Sequence, residues 1–199
     1  PQLMGFPRLV RAKLCYRDTF QSLNPTAGGL AATHIYSANG LWDPDVTGTG
    51  HQPVGFDQYM AMYDHYVVVG AKIVATFTNQ DTSNRQTAVI YIDDTNSASS
   101  DLRVPIENGG CAYTELDVAP GTNAQKTLTL YVDPVKWQGR TNPLADPELK
   151  GSSTANPVEQ AYFAVAVAPH TVVDAAAVGV NVTIYYDAIF FERKRTALS

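Results

Sequence analysis

Apolar and polar residues alternate along much of this chain with the period of a β-strand. Val10, Ala12, Leu14, Tyr16 and Phe20 alternate with Arg11, Lys13, Cys15, Arg17 and Thr19, which predicts a strand over 9–20 with one buried face, interrupted by Asp18. Runs rich in β-branched and aromatic residues predict further strands over 33–38, 65–79, 86–93, 111–117, 125–132, 159–168 and 178–193. In the last of these, Val180, Val182, Ile184, Tyr186, Ala188 and Phe190 fall on one face. Gly70 marks a bulge or a close approach inside 65–79.

One passage breaks the period of two. After the Gly- and Pro-rich residues 48–55, Phe56, Tyr59, Met60 and Tyr63 fall at helical spacing, and Val67-Val68-Val69 follows as strand. This predicts a short helix near 56–63, with Asp57 beside its unpaired N–H groups. The apolar face of that helix is expected to plug one end of the sheets rather than to dock a neighbour. A single helical turn is expected at 134–138.

About eight strands joined by long, uneven connections (39–55, 94–110 and 138–158) predict an all-β chain. The spacing suits a single eight-stranded antiparallel jelly roll of two four-stranded sheets, occupying residues 1–199 as one domain. An immunoglobulin sandwich wants tighter, more regular turns and a Cys…Trp…Cys core, which this sequence lacks. Cys15 and Cys111 are expected to be free thiols in strands, in a reducing compartment. No run approaches the ~18 apolar residues of a membrane helix, so no membrane insertion is expected.

The formal charge of −5 argues against a nucleic-acid binder until its distribution is considered. Arg8, Arg11, Lys13 and Arg17 at the start, with Arg193, Lys194 and Arg195 at the end, make up half of all Lys and Arg. Acids occupy loop-like sequence at Asp43, Asp45, Asp81, Asp93, Asp94, Asp101, Asp146 and Glu148. Neighbouring terminal strands would therefore create a basic face, apart from the acidic loops.

Catalytic motifs fail on inspection, and no enzyme or cofactor is expected. Gly48-x-Gly50 does not extend to a dinucleotide fingerprint, because Pro53 stands at the third glycine position. Asp43-x-Asp45-x-Thr47-Gly48 opens like a calcium loop but has Val54 where a bidentate carboxylate belongs, leaving Asp43 and Asp45 only as a weak candidate for a metal shared between subunits. His34, His51, His65 and His170 show no metal spacing, and no G-x-S-x-G elbow occurs. His51 is expected to hydrogen-bond its own loop. Asn181-Val-Thr183 is a formal glycosylation sequon placed mid-strand and is discounted. Trp42 and Trp137 lie in long loops beside Pro, Asp or Gly, where a large ring suits an interface.

The run Asp43-Pro-Asp45, Thr47-Gly-Thr-Gly-His-Gln-Pro53, Gly55-Phe-Asp-Gln58 and Tyr63-x-His65-Tyr66-x-Val68 resembles the capsid proteins of small circular, Rep-encoding single-stranded DNA (CRESS-DNA) viruses. The motif match covers 43–77, and the strand order elsewhere is compatible. The resemblance implies a jelly-roll subunit whose first and last strands are neighbours. It implies self-assembly into an icosahedral shell of about 60 copies that encloses single-stranded DNA without reading its sequence. It further implies a virion protein assembled inside the host cell, the nucleus included, with a basic arm upstream of Pro1. On this reading Arg8, Arg11, Lys13 and Arg17 contact nucleic acid, while Trp42, His51 and Trp137 lie at subunit interfaces. A capsid protein of a small RNA virus is the main rival. A jelly-roll carbohydrate-binding module is the rival from another class, motivated by the tryptophans, tyrosines and loop aspartates.

Overall fold

The two longest strands, β4 (Tyr63–Asn79) and β9 (Val178–Arg193), pair antiparallel along nearly their whole length and form the centre of the larger sheet. In β9 the side chains predicted on one face, from Val180 to Phe190, are all buried. The register slips between Val68 and Gly70, the bulge that the glycine foreshadows. A Cβ at Gly70 would stand 2.9 Å from the Tyr131 hydroxyl, so the glycine admits that ring. The computed structural model describes residues 6–195 apart from Thr19 and Val173.

β1 (Leu9–Arg17) lies on the other side of β9, and β7 (Gln125–Val132) on the other side of β4, giving the order β1-β9-β4-β7. The second sheet has the order β3 (Ala32–Ser37), β8 (Tyr162–Pro169), β5 (Gln86–Asp93) and β6 (Cys111–Leu116). Every named pairing is antiparallel. The main apolar cluster joins Leu14, Ile73 and Ile184 of the first sheet to Ile90, Phe163 and Val165 of the second. Each such side chain contributes about 1.5–3 kcal/mol when fully buried.

The strand predicted over 9–20 ends at Arg17, and a separate short strand, β2 (Gln21–Leu23), returns to pair with β9, so the larger sheet has five strands instead of four. Asp18 stands at the break. Its N–H still donates to the Val182 carbonyl of β9 at 3.1 Å, its buried carboxylate accepts from the Tyr36 hydroxyl at 2.6 Å and the Gln21 amide at 2.7 Å, and past it the pairing on β9 shifts from Arg17–Thr183 to Gln21–Val180. Phe20, expected in the core, is 55% exposed and instead covers Gly179. Thr19, the last polar member of that alternation, lies outside the described residues. β8 starts at Tyr162, later than the predicted 159.

Helix α1 (Phe56–Met62) follows Gly55, whose φ of 91° only glycine adopts without strain. Phe56 and Met60 are buried, and the Tyr59 ring stacks on Phe190 at 4.6 Å, so the helix closes the core as expected. The loop predicted over 94–110 contains a second helix, α2 (Arg103–Asn108). Its signals are Asp101, which accepts from the Arg103 N–H at 3.0 Å, Pro105 in the first turn, and Gly109-Gly110 as a stop. The turn foreseen near 134–138 is α3 (Pro134–Trp137), capped by Asp133 accepting from the Lys136 N–H at 3.1 Å.

Candidate nucleic-acid interface

The face of the larger sheet that turns away from the core gathers the basic residues of β1. Leu9, Arg11, Lys13, Cys15 and Arg17 are exposed there, because their alternating partners Leu14 and Tyr16 point inward. Register extends the row across the sheet. Cys15 pairs with Tyr185, Tyr185 with Lys72, and Lys72 with Tyr131, so these four residues form one band across four strands. Tyr131 is 65% and Tyr185 47% exposed, and the Lys72 ammonium sits 5.2 Å from the centre of the Tyr185 ring. Cations beside exposed rings suit an unpaired nucleic acid, whose phosphates take the charge and whose bases stack.

The predicted contact residues do not contribute equally. Arg11 makes a bidentate pair with Asp187, 2.7 Å from each nitrogen to its carboxylate oxygen. Hydrogen bonding and charge at this pair push the arginine up in pKa and hold the aspartate below its usual value. Its charge is therefore largely answered within the chain. Lys13 and Arg17 have no ion-pair partner among the described residues. Arg8 is exposed just before β1, at the end of the sheet where Leu9 pairs with Phe191. Two of the terminal cations are engaged: Arg193 donates to the Phe6 carbonyl at 2.9 Å and Lys194 to the Met60 carbonyl at 2.6 Å, while Arg195 is exposed. Lys72 was missed by sequence reasoning, since it sits mid-chain and only the β4–β9 register brings it to β1.

The loop residues are placed by a clasp between two connections. Asn156 Oδ1 accepts from the Trp42 N–H at 3.1 Å, the Asp43 N–H at 3.2 Å and the Tyr66 hydroxyl at 3.2 Å, and Nδ2 donates to the Asp43 carbonyl at 3.0 Å. Buried Tyr66 also accepts from the Leu41 N–H at 2.9 Å. Trp42, next to these bonds, is left 40% exposed. Trp137 is 39% exposed and lines a cleft with Val104, Pro105 and Asn108 around α2. His51 faces the carbonyl oxygens of Gln52 at 2.7 Å and Arg17 at 3.0 Å, and its ring packs tilted against Tyr16 with centroids 4.8 Å apart. Its ring thus ties the loop to the end of β1.

Asp43 and Asp45 part company. The loop folds back on β3 through Ser37 N–H to Pro44 O at 2.8 Å and Val46 N–H to Ile35 O at 3.3 Å, which sets Asp45 against His34. Asp45 is buried, stands 3.0 Å from His34 Nε2, and accepts from the Thr47 N–H and hydroxyl at 3.0 and 2.9 Å. Asp18 converges on the same point from the end of β1. Asp43 is outside this group, and burial followed by the charge of Asp45 raises its pKa.

No protein-family model matches the chain, and no curated protein matches it in sequence. Solved structures do match. The semi-empty VLP structure of the nodavirus of the giant freshwater prawn Macrobrachium rosenbergii superposes with a TM-score of 0.53 at 10% identity, covering 100% of this chain and 93% of that one. The crystal structure of cucumber necrosis virus gives 0.51 at 15% identity, over 96% of this chain and 58% of that one. The decameric BFDV capsid protein aligns at 0.48 and 10% identity, over 92% and 99%, a fit too loose to weigh. These likenesses define the class of fold as the antiparallel jelly roll of viral capsid proteins, in agreement with the fold expected from the strand pattern.

Proposed function

We propose that this chain is the shell domain of a viral capsid, a subunit that associates with copies of itself into a closed icosahedral particle of about 60 copies around single-stranded nucleic acid. The observation that carries this reading is the superposition on the nodavirus VLP, which covers 100% of this chain and 93% of that one. Assembly is association without bond-making chemistry. Loops held in fixed shapes present complementary edges, and closure makes many modest contacts cooperative. Trp42 and Trp137, each about two-fifths exposed, are the anchors proposed for neighbouring subunits, with His51 shaping the loop between Trp42 and α1.

The face bearing Lys13, Arg17, Lys72, Tyr131 and Tyr185 supports an inward role, holding nucleic acid by charge and stacking without base readout. DNA is the cargo proposed, on the resemblance across residues 43–77. RNA is the alternative, since phosphate binding alone does not discriminate the two. Nucleic acid recovered from nuclease-treated particles tests the cargo. Material destroyed by DNase and resistant to RNase is expected. Recovery of RNA would move the chain to the RNA-virus reading, and particles empty of both would remove the role given to this face.

A further inference from the structure

Where β1 ends, three groups of metal-ligand type meet from three separate segments. Asp18 follows β1, His34 lies in β3, and Asp45 lies in the loop that folds back on β3. Their ligand atoms all lie within 4.8 Å of one another, and both aspartates are buried, at 8% and 1% exposure. We propose that Asp18, His34 and Asp45 bind one divalent first-row transition-metal ion, Zn2+ by preference, inside a single subunit, with the Tyr16 hydroxyl facing the ion or its water.

Tyr16 is the independent observation that points to a ligand. It is fully buried, and its hydroxyl has no hydrogen-bond partner among the described residues, an arrangement that is unfavourable unless something occupies the site. That hydroxyl is beside Asp45: a Cβ built on Gly50 would stand 2.6 Å from it and 2.8 Å from the Asp45 Cβ. Glycine at 50 therefore keeps open the space where the hydroxyl and Asp45 meet.

The donor set selects the ion. One imidazole nitrogen with carboxylate oxygens suits a borderline cation such as Zn2+ better than Ca2+ or Mg2+, which prefer all-oxygen shells. A dication also offsets two carboxylate charges held together out of water. In a tetrahedral site with bonds of about 2.1 Å, ligand atoms stand ~3.4 Å apart, so no pair has to close by more than about 1.4 Å. The His34–Asp45 pair at 3.0 Å is already near that spacing. Binding would pin the loop carrying Trp42 to β1 and β3, and it does not depend on the shell reading.

The test uses tag-free, EDTA-stripped protein titrated with Zn2+ alone by calorimetry, with Co2+ absorption as a spectroscopic check. One ion per chain is expected in the wild type and in His170→Gln, a surface control. His34→Gln is expected to bind at least about tenfold more weakly and to lose the Co2+ band. X-ray absorption on the Zn2+-loaded wild type needs no variant to fold and should show one imidazole among oxygen ligands. Absence of saturable uptake by the wild type, an all-oxygen shell, or undiminished binding in folded His34→Gln overturns the proposal.

Discussion

Replacing Asn156 with alanine is expected to cost about 3 kcal/mol of folding stability. The side chain accepts from the Trp42 and Asp43 N–H groups and the Tyr66 hydroxyl, and donates to the Asp43 carbonyl. In the variant, Trp42 N–H keeps a second acceptor, the Tyr66 oxygen at 3.4 Å. The Asp43 N–H and C=O and the buried Tyr66 hydroxyl lose partners, at about 1 kcal/mol or more each, because water reaches half-buried Asp43 only in part. Gly40→Ala attacks the same clasp from the other side, since its new Cβ would lie 2.5 Å from the Asn156 Cγ. The two changes should therefore couple. With residue 156 cut to alanine, the methyl at 40 has room, and the double variant should cost little more than either single one, a coupling of about 2 kcal/mol. Equilibrium urea unfolding, followed by the fluorescence of Trp42 and Trp137, measures all three. In a thermal scan each single variant should lose roughly 6–12 °C. Single-variant costs under about 0.5 kcal/mol, or an additive double variant, would refute the clasp.

Three further outcomes are expected. The triple variant Lys13→Ala, Arg17→Ala, Lys72→Ala should lower the salt slope of oligonucleotide binding by about 2, at ~0.7 per lost phosphate contact on a single strand; an unchanged slope in fluorescence anisotropy would put the binding face elsewhere. At Asp81, burial would raise the pKa, but bonds from the Ala176, Ser83 and Asn84 N–H groups and the Asn84 side chain outweigh it and hold the value at about 2 against the usual 3.8. The folded-state value is depressed, so this contribution is present above pH ~4, fades as pH falls through 2, and amounts to at most about 2 kcal/mol. Asp81→Asn should flatten the acid limb of a stability-against-pH curve. Phe56→Ala, which empties a fully buried ring site against Tyr66, should cost about 3–5 kcal/mol in chemical unfolding.

Strands were legible wherever one face is buried, because burial and the period of two then coincide. β7 and β9 match their predicted bounds, β5 does so as a β-branched and aromatic run buried on both faces, and α1 follows from four apolar residues at helical spacing. The errors have two causes: polar residues whose partners lie far along the chain, and, at α2, a weak apolar stripe. Asp18 reads as a break, yet its partner Tyr36 is 18 residues away and buries it. Asp101 and Pro105 looked like loop residues because α2 carries a weak apolar stripe, with Pro105 as its buried residue. Tyr185, Lys72 and Tyr131 meet only through register. The clasp at Asn156 spans 113 residues to Asp43, a distance over which no local pattern reports.

Particle size tests the shell reading most directly. Multi-angle light scattering of the purified chain, with negative-stain microscopy of the same sample, is predicted to show uniform closed particles of dozens of subunits, and Trp42→Ala with Trp137→Ala should shift them towards free subunits. A chain that stays monomeric across salt and protein concentration would contradict a capsid function.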